Sequence, residues 1–528
     1  MVTDLAQRQS VPPSANAEIA TSARIPWHPP LIAVAFVLQN YIESGVHVAA
    51  IGRALIVAVL LAVALQALGW LVSRSRHFGS MAASSILVLG IAWVPLVVMG
   101  QAIVGLPAWQ AAILIAPLML LVLAVARLAF VHRGRIWRLT RVMNILSAAL
   151  LAVVMVQLAT SPTAGQGLRE LVGPSTVSAM SAVPAGTDRR PPDIYVLLLD
   201  GHPRADSLLE QLGTDVQPFL DQLAARRFTI SDRGVTNYGW TSASLSSMLH
   251  MQYLHELPDV VLDPDDPVQM RRSMAESPGP AHLRSAGYEI TAVGPPYEHV
   301  ALRSADRFVD AGYLNSFECH LIRRTMIGSI AWHVSPGFLG DTRREAITRS
   351  MSTLEDIARE PSSRPRFVLV HLPTPHLPLL WDAEGNPVDD PAGSDCAPQF
   401  ATGLSADEVQ PAYLAQLQHV QGLVLESIDA VLAASDDPPV LLVLSDHGGK
   451  LGAAAIDPAS PEGWRDRFGI LFAAHTPGTS TMFPDEVSLV NVLPSILNEY
   501  LEADLPIRPS RTFGTTDGDL GEVPMLGH

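Results

Sequence analysis

VLLVLSDHGG, residues 440–449, is an apolar run that ends in a carboxylate and an imidazole. A second stretch of the same kind, IYVLLLDG, spans residues 194–201. Such runs are typical of buried parallel strands, and open α/β sheets carry their chemistry outside the carboxyl ends of these strands. We therefore expect Asp200, Asp446 and His447 to converge on one crevice. Asp and His together suit a divalent cation, whereas a lone strand-end Asp more often caps the turn that follows.

The composition separates a membrane part from the rest of the 528 residues. Hydrophobic residues make up 48% of the chain, and the mean hydropathy is +0.25. The excess lies in residues 30–160, where Glu43 is the only acidic residue. A formal net charge of −16 argues against nucleic-acid partners, which favour basic surfaces. The two cysteines, Cys319 and Cys396, fit either one disulfide in an oxidising compartment or two buried thiols.

Several segments are long and apolar enough to cross a bilayer, which takes about 20 residues. A weaker candidate at 31–50 contains Asn40, Glu43 and His47, and its alternative is an interfacial or re-entrant segment. We favour a span there as well, because it completes a consistent topology. The four stronger candidates are residues 54–73, 82–104, 108–130 and 142–160.

Basic residues set the predicted orientation. Arg74 and Arg76 follow the second span, and four arginines between Arg133 and Arg141 follow the fourth, so the positive-inside rule places both loops in the cytoplasm. Charges within the later spans are almost absent apart from Arg127, which argues against a transporter. We predict, in chain order, a cytoplasmic tail (1–28), about five transmembrane helices (29–160), a linker (161–192) and an external domain (193–528).

The external domain alternates strand and helix patterns. Arg366–His371 is a third strand candidate, and Gln416–Ala434 has the apolar spacing of a helix that precedes the strand ending at Asp446. Alternation of this kind predicts an α/β fold with a mostly parallel sheet flanked by helices.

The stretch TNYGWTSASLSSML, residues 236–249, reads as a turn followed by a helix with hydroxyl residues in its first turn. A helix N-terminus suits an anionic group, because its N–H groups are unpaired and its dipole is positive there. A hydroxyl at such a position that also binds a metal can ionise and attack phosphorus or sulfur. The alternative is an ordinary Ser or Thr N-cap.

A second polar cluster, HLPTPHLP at residues 371–378, directly follows a strand. Its prolines exclude a shared helix face, so His371 and His376 sit on a rigid loop. A histidine there could bind a substrate phosphate, donate a proton to a leaving group or only satisfy loop carbonyls. Arg467, which precedes the predicted strand Gly469–Ala474, could clamp an oxyanion or be a surface charge.

In this order along the chain, the motifs resemble the alkaline phosphatase and sulfatase superfamily. The closer likeness is to its membrane-anchored branch of sulfatase-like transferases, which includes lipoteichoic acid synthases and phosphoethanolamine transferases. The resemblance covers most of residues 193–510 and rests on Asp193-Ile194-Tyr195 through Leu199-Asp200-Gly201, on Asn237-Tyr238 with Thr241 and Ser244-Leu245, on Thr374-Pro375-His376-Leu377-Pro378, on Ser445-Asp446-His447-Gly448 and on Arg467-Phe468-Gly469-Ile470.

The resemblance implies roles for particular residues. Asp200, Asp446 and His447 would bind one divalent metal ion (Zn, Mn, Mg or Ca), Thr241 would be the nucleophile and also touch the metal, and His376 would be the substrate-site histidine. His371 and Arg467 are further candidates for substrate binding.

Two departures from the family pattern shape the prediction. Thr241 is followed by Ser242-Ala243-Ser244-Leu245, so the Cys/Ser-x-Pro-x-Arg signal for formylglycine is absent and sulfate-ester hydrolysis is disfavoured. Gly201 stands where sulfatases tend to carry a second Asp, which favours a single metal ion.

The sequence thus predicts a multi-pass protein of the cell (inner) membrane with its catalytic domain on the external, periplasmic side. We expect it to move a phospho-head group from a lipid donor to an envelope glycan or lipid through a phosphothreonine intermediate. The alternatives are a metal-dependent phosphodiesterase or other ester hydrolase, and a catalytically inactive envelope scaffold.

Overall fold

The computed structural model divides into two compact units. The first comprises residues 1–168 together with 321–330, and the second comprises residues 169–320 and 331–528. The structure describes residues 25–44, 46–104, 136–161, 190–257, 267–294, 300–312, 314–334, 338–388, 406–516 and 519–523.

The first unit contains four described helices of its N-terminal part. A short 3-10 helix, Val48–Ile51, leads directly into the second of them. The four are α1 (His28–Ser44), α2 (Gly52–Ser73), α3 (Arg76–Val104) and α4 (Ile136–Thr160).

Three stretches among the described residues are long and apolar enough to cross a membrane: Val48–Ser73, Arg76–Ala102 and Trp137–Thr160. They coincide with three of the predicted spans. The weaker candidate at 31–50 is not one continuous helix, because α1 ends at Ser44 after 17 residues. The predicted span 108–130, residues 1–24 of the tail and most of the linker lie outside the described residues.

Helices α2 and α3 pack closely at a pair of glycines. A Cβ built on Gly69 would lie 2.8 Å from the Cα of Gly79. A Cβ on Gly79 would lie 2.5 Å from the backbone nitrogen of Trp70 and 2.7 Å from the carbonyl oxygen of Gln66. Small residues at such a crossing let two backbones approach, which favours helix association where no water is present to drive it.

The second unit is built on seven strands in one sheet, with a separate two-stranded hairpin. The seven are β1 (Ile194–Leu199), β2 (Thr229–Ile230), β3 (Glu289–Gly294), β4 (Arg307–Asp310), β5 (Arg366–Leu372), β6 (Val440–Ser445) and β7 (Phe472–His475). The hairpin pairs β8 (Thr512–Thr516) with β9 (Asp519–Val523).

Helices connect and flank these strands, and 3-10 turns lie at Leu254–Glu256 and Leu489–Asn491. The helices are α5 (Ala205–Leu212), α6 (Gln217–Ala225), α7 (Thr241–His250), α8 (Pro267–Ala275), α9 (Gly279–Ser285), α10 (Ser316–Arg323), α11 (Met326–Val334), α12 (Phe338–Arg359), α13 (Ala406–Ala434), α14 (Ala453–Ile456), α15 (Pro461–Phe468) and α16 (Val492–Leu501). Residues 321–330, at the end of α10 and the start of α11, group with the first unit.

The strand order in the sheet is β2-β7-β6-β1-β5-β3-β4. The five strands from β6 to β4 are parallel, and β7 runs antiparallel to both β6 and β2. This confirms the predicted α/β class with a mostly parallel sheet flanked by helices. The predicted strand at 469–474 is shorter and begins at Phe472.

The central strands are continuous apolar runs because both faces of the sheet are covered. Along β1, Val196 and Leu198 pack into one hydrophobic cluster, while Leu197 and Leu199 pack into another. Successive side chains of a strand point to opposite faces, so an alternating polar pattern would place polar groups in one of these cores.

The glycine crossing of α2 and α3 predicts a position-specific effect on stability. Gly79→Ala should lower the melting temperature of the full chain, because the added Cβ meets backbone atoms that cannot turn aside, and overpacking of this kind costs about 1–3 kcal/mol. Gly90→Ala is the matched control in the same helix, since a Cβ there meets nothing within 4 Å. Equal melting temperatures for the two variants would contradict the close crossing.

Candidate metal centre and nucleophile

The register of the sheet brings the strand-end residues to the same level. Leu199 of β1 pairs with Ser445 of β6 on one side and with Leu372 of β5 on the other. Because the three strands are parallel neighbours, Asp200 and Asp446 follow at the same carboxyl edge. Both carboxylates are buried, and Asp446 is fully so.

His447 lies at the centre of the resulting cluster. Its Nε2 is 3.4 Å from Asp200 Oδ1, 3.4 Å from Asp446 Oδ2 and 3.5 Å from the hydroxyl Oγ1 of Thr241. The four residues that the sequence predicted for a metal site therefore converge around one nitrogen atom.

The protonation of His447 decides what this cluster can hold. Its Nδ1 lies 2.8 Å from the carbonyl oxygen of Gly448, so Nδ1 carries the proton and donates it there. Burial lowers the pKa of His447 to about 4, although Asp446 opposes that shift. The ring is consequently neutral at neutral pH, and Nε2 presents a lone pair to the carboxylates.

Two carboxylates and an imidazole lone pair face one another at the centre of the cluster. Asp200 Oδ1 and Asp446 Oδ2 are buried and make no hydrogen bond among the described residues. Buried acceptors rarely stay unpaired. Here the unpaired oxygen atoms of Asp200 and Asp446 converge with the Nε2 of His447, and no thiolate is part of the set. This donor set fits a divalent cation such as zinc or manganese.

Two further histidines join the same cluster. His371 lies within strand β5, because the strand continues to Leu372, so its predicted place on the loop was wrong; His376 lies in the loop that follows. Potential ligand atoms of Asp200, His376 and His447 lie within 4.8 Å of one another. His371 Nε2 lies 3.5 Å from Asp200 Oδ2, and neither ring nitrogen of His371 makes a hydrogen bond among the described residues. The sequence assigned these histidines to substrate and catalysis, whereas their geometry equally suits contact with the metal.

The same histidines affect the ionisation of Asp200. Burial alone would raise the pKa of this carboxyl group. The neighbouring imidazoles of His376, His371 and His447 outweigh burial and hold the pKa below its usual range. Asp200 is therefore a carboxylate at neutral pH, as a metal ligand must be.

Gly201 permits the approach of two imidazoles to Asp200. Its φ of +72° lies in the left-handed region, which favours glycine. A Cβ at this position would lie 3.2 Å from the ring of His376 and 3.5 Å from the ring of His447. The close approach of the two rings thus explains sterically why this chain carries Gly201 at the position where sulfatases tend to carry Asp.

Thr241 begins helix α7 but does not cap it. The N-cap residue is Trp240, which makes no side-chain capping bond. Thr241 lies one position further into the helix, and its hydroxyl points to His447 instead of to a backbone N–H. The alternative of an ordinary Thr N-cap is therefore wrong. Ser244 is already engaged, since its hydroxyl donates to the carbonyl oxygen of Tyr238 over 2.6 Å.

Arg467 passes close to the turn that leads into Thr241. A Cβ built on Gly239, two residues before Thr241, would lie 2.6 Å from Cδ of Arg467. Burial lowers the pKa of Arg467, and its Nε is buried without a hydrogen bond among the described residues. A guanidinium in this position can bind the oxygen atoms of an anionic substrate beside Thr241.

Sequence reasoning overlooked Lys450, which follows the two glycines after His447. Its φ of +57° places it in the left-handed region. Burial and the nearby Arg467 lower its pKa to about 8, against the opposing charges of Asp446 and Asp200. Lys450 is still mostly protonated at neutral pH and adds a second positive charge near the cluster. Its position three residues after His447 was a signal in the sequence that Lys450 could lie near the site.

Three polar side chains to which sequence reasoning assigned no role hold the loops in place. Ser445 accepts a hydrogen bond from the backbone of His202 and donates one to the carbonyl of His447. Tyr413 donates to the carbonyl of Gly201 over 2.9 Å. Gln416, fully buried in α13, accepts from the backbone of Leu380 and donates to the carbonyl of Pro375. The signal for Gln416 in the sequence was its polar side chain within the apolar pattern of a helix.

Comparison with known proteins gives structural matches alone. No family model and no curated protein matches this sequence. The C-terminal periplasmic domain of EcEptC from Escherichia coli, in complex with Zn, is 15% identical with a TM-score of 0.43, over 64% of this chain and 94% of that chain.

Two further solved structures have similar scores. The soluble domain of lipooligosaccharide phosphoethanolamine transferase A from Neisseria meningitidis is 14% identical with a TM-score of 0.38, over 60% of this chain and 88% of that chain. An alkaline phosphatase superfamily protein from Vibrio parahaemolyticus is 12% identical with a TM-score of 0.40, over 66% of this chain and 79% of that chain. One of these neighbours is described as an alkaline phosphatase superfamily protein, and at these identities the likeness is one of fold alone.

The unpaired acceptors predict that Asp446→Asn affects the stability of the metal-free protein and of the zinc-loaded protein differently. Without metal, Asp446→Asn should be at least as stable as wild type, because it removes one of two facing charges and keeps an oxygen for the N–H of Gly201. With zinc, wild type should gain melting temperature and the variant should gain little. Its zinc affinity should fall at least about tenfold, since even the partners of metal ligands contribute that much.

Two controls accompany this measurement of zinc content and melting temperature. Asp436→Asn changes an exposed carboxylate and should match wild type in both. His447→Ala removes the central nitrogen and should also lose zinc. Full zinc occupancy in both site variants would show that these residues are not ligands.

The contact between Gly239 and Arg467 predicts a change in substrate binding. Gly239→Ala should raise KM for an anionic phosphodiester about tenfold, the value of one lost charge-assisted hydrogen bond, because the Cβ displaces the stem of Arg467. Its melting temperature should change little, since the displaced side chain is flexible. Gly422→Ala, where a Cβ meets nothing within 4 Å, is the matched control and should keep the wild-type KM. An unchanged KM in Gly239→Ala would contradict a role of Arg467 in substrate binding.

Proposed function

We propose that this chain is a membrane-anchored, metal-dependent phosphotransferase that moves a phospho-head group from a lipid donor to an envelope glycan or lipid through Thr241. One observation carries the proposal. The hydroxyl of Thr241 lies at the start of a helix, 3.5 Å from His447 Nε2, beside two buried carboxylate oxygens that make no hydrogen bond among the described residues.

The residues divide into three roles. Asp200, Asp446 and His447 would hold the divalent cation, with His376 and His371 close enough to contribute. When bound, the cation would lower the pKa of a coordinated hydroxyl and neutralise charge on a phosphoryl group.

Thr241 acts as the nucleophile in the first half of the reaction. Its Oγ1 forms a bond to phosphorus, the bond from phosphorus to the lipid oxygen breaks, and the hydroxyl proton ends on the departing lipid alcohol. An acceptor hydroxyl then attacks the phosphothreonine, and Thr241 regains a proton from it. The N–H groups at the start of α7 and the cations of Arg467 and Lys450 stabilise the phosphoryl oxygens.

Phosphoester chemistry is favoured over sulfate-ester chemistry by the residues after the nucleophile. Thr241 cannot be converted to formylglycine, and the downstream residues lack the Pro and Arg of that signal. A plain hydroxyl can attack a phosphodiester directly and form a stable covalent intermediate.

A lipid donor and an external location rest on separate features. Three helices of the first unit are long and apolar enough to span a membrane, and they would keep the chain at a lipid surface. Cys319 is disulfide-bonded, which is typical of oxidising compartments outside the cytoplasm. The only other cysteine of the sequence, Cys396, lies outside the described residues.

Two other functions make different predictions. A phosphodiesterase of the same superfamily would use water as the acceptor, so adding a glycan acceptor would not change its product. An inactive envelope scaffold would need neither metal nor turnover. The unpaired carboxylates at buried positions favour an enzyme, because a scaffold would gain stability by replacing them.

Replacement of Thr241 tests the nucleophile. Thr241→Val keeps the shape and removes the hydroxyl, so turnover of an artificial phosphodiester such as bis(4-nitrophenyl) phosphate should fall about a thousandfold or more. Thr241→Ser keeps a hydroxyl and should retain part of the activity. The melting temperatures should stay close to wild type, since Thr241 does not cap the helix.

Ser242→Ala is the matched control, because Ser242 is the neighbouring buried hydroxyl of the same helix. It should keep wild-type turnover. An active Thr241→Val enzyme would exclude the phosphothreonine route and would direct attention to Ser242.

A further inference from the structure

A short segment between two helices groups with the N-terminal helices instead of with its neighbours in sequence. Residues 321–330 belong to the first unit, although the residues on both sides belong to the second. Within the first unit, Arg324 donates through Nη1 to Asn40 Oδ1 over 2.8 Å and pairs with Glu43 Oε2 at 2.6 Å. The proposed chemistry at Thr241 uses none of these residues.

The helix that begins in this segment, α11, presents apolar side chains on its surface. Ile327 is 56% exposed and Ile330 is 51% exposed. Residues three apart on a helix are neighbours on one face, so the two isoleucines form a single apolar strip. The sequence of α11, MIGSIAWHV, contains no lysine, arginine, aspartate or glutamate.

The sequence around the strip is basic, in contrast to the acidic chain as a whole, although Glu43 of α1 pairs with Arg324. No Asp or Glu occurs from residue 319 to residue 340, while Arg323 and Arg324 immediately precede α11 and are exposed. An apolar helix face beside arginines is the pattern of helices that lie in a membrane interface. Arginine also pairs well with the phosphate groups of lipid head groups.

We propose that α11 lies in the head-group region of the lipid bilayer, with Ile327 and Ile330 directed into the boundary with the acyl chains. The helix is too short to span, since nine residues rise about 14 Å against a hydrocarbon core of about 30 Å. It is therefore an interfacial anchor in addition to the spanning helices.

A lipid surface explains the contacts of the segment better than a second protein does. The strip belongs to the same unit as three helices whose apolar side chains are also exposed, among them Leu60 and Leu71 of α2. Arg324 reaches the end of α1, where Asn40 and Glu43 add polar groups after an apolar stretch. Polar residues at the end of an apolar helix are typical of a membrane boundary, where an interfacial helix would lie.

The test measures lipid contact at single positions of the full chain. Ile327→Cys and, as the matched control, Ile507→Cys are labelled with an environment-sensitive fluorophore and reconstituted into vesicles of phosphatidylethanolamine and phosphatidylglycerol. Ile507 is 57% exposed and lies in the second unit. Wild type treated with the same label gives the background, since Cys319 is disulfide-bonded.

Lipids brominated in the upper part of their acyl chains should quench the label at position 327 and leave the label at position 507 unchanged. Aqueous iodide should quench position 507 more strongly than position 327. A label at 327 that iodide quenches and bromolipid does not would overturn the proposal. Shielding from both quenchers would also overturn it, because a second copy or another protein would then cover the strip. None of these outcomes depends on turnover at Thr241.

Discussion

The convergence of Asp200 and Asp446 on one nitrogen atom of His447 is the constraint on which the candidate site depends. Both carboxylates are buried around the neutral ring of His447, whose lone pair adds a third acceptor. A buried charge that nothing offsets is strongly destabilising. Lys450 supplies positive charge nearby, and a divalent cation at the unpaired oxygen atoms would add to it.

Much of the surrounding structure serves to hold that cluster together. The parallel register of β1, β5 and β6 brings the strand ends level, and Gly201 leaves room for the imidazoles. Gln416 and Tyr413, both from α13, fix the loops that follow β5 and β1. Thr241 and Arg467 then reach the same edge from two different helices. A rigid frame of this kind keeps catalytic groups in place before substrate arrives.

The sequence predicted the central strands and their polar ends because these features are local. Apolar runs such as residues 440–444 are typical of strands buried on both faces. A carboxylate directly after such a run lies at the carboxyl edge of the sheet. The antiparallel course of β7 could not be read in this way, since strand direction depends on pairing with β6 across the sheet. For the same reason, Lys450 and Gln416 were missed: their importance arises from contacts between residues distant in the chain.

In the N-terminal apolar region, too, the sequence predicted features of single segments and missed features that depend on contacts between distant residues. Hydropathy over about 20 residues located the helices α2, α3 and α4, because crossing a bilayer is a property of one segment. It overextended the candidate at 31–50, since α1 ends at Ser44. Nothing local predicted that residues 321–330 would join these helices, since the grouping arises from contacts between residues distant in the chain, such as Arg324 and Glu43.

The most direct measurement of the central claim is the mass of the peptide that contains Thr241 during turnover. The full chain in vesicles would receive a phospholipid with an isotope-labelled head group, and the reaction would be stopped with acid before digestion. The account predicts a labelled phospho-head-group adduct on Thr241 that disappears when an acceptor is added. Product formation with an unmodified Thr241, or an adduct on another residue, would contradict it.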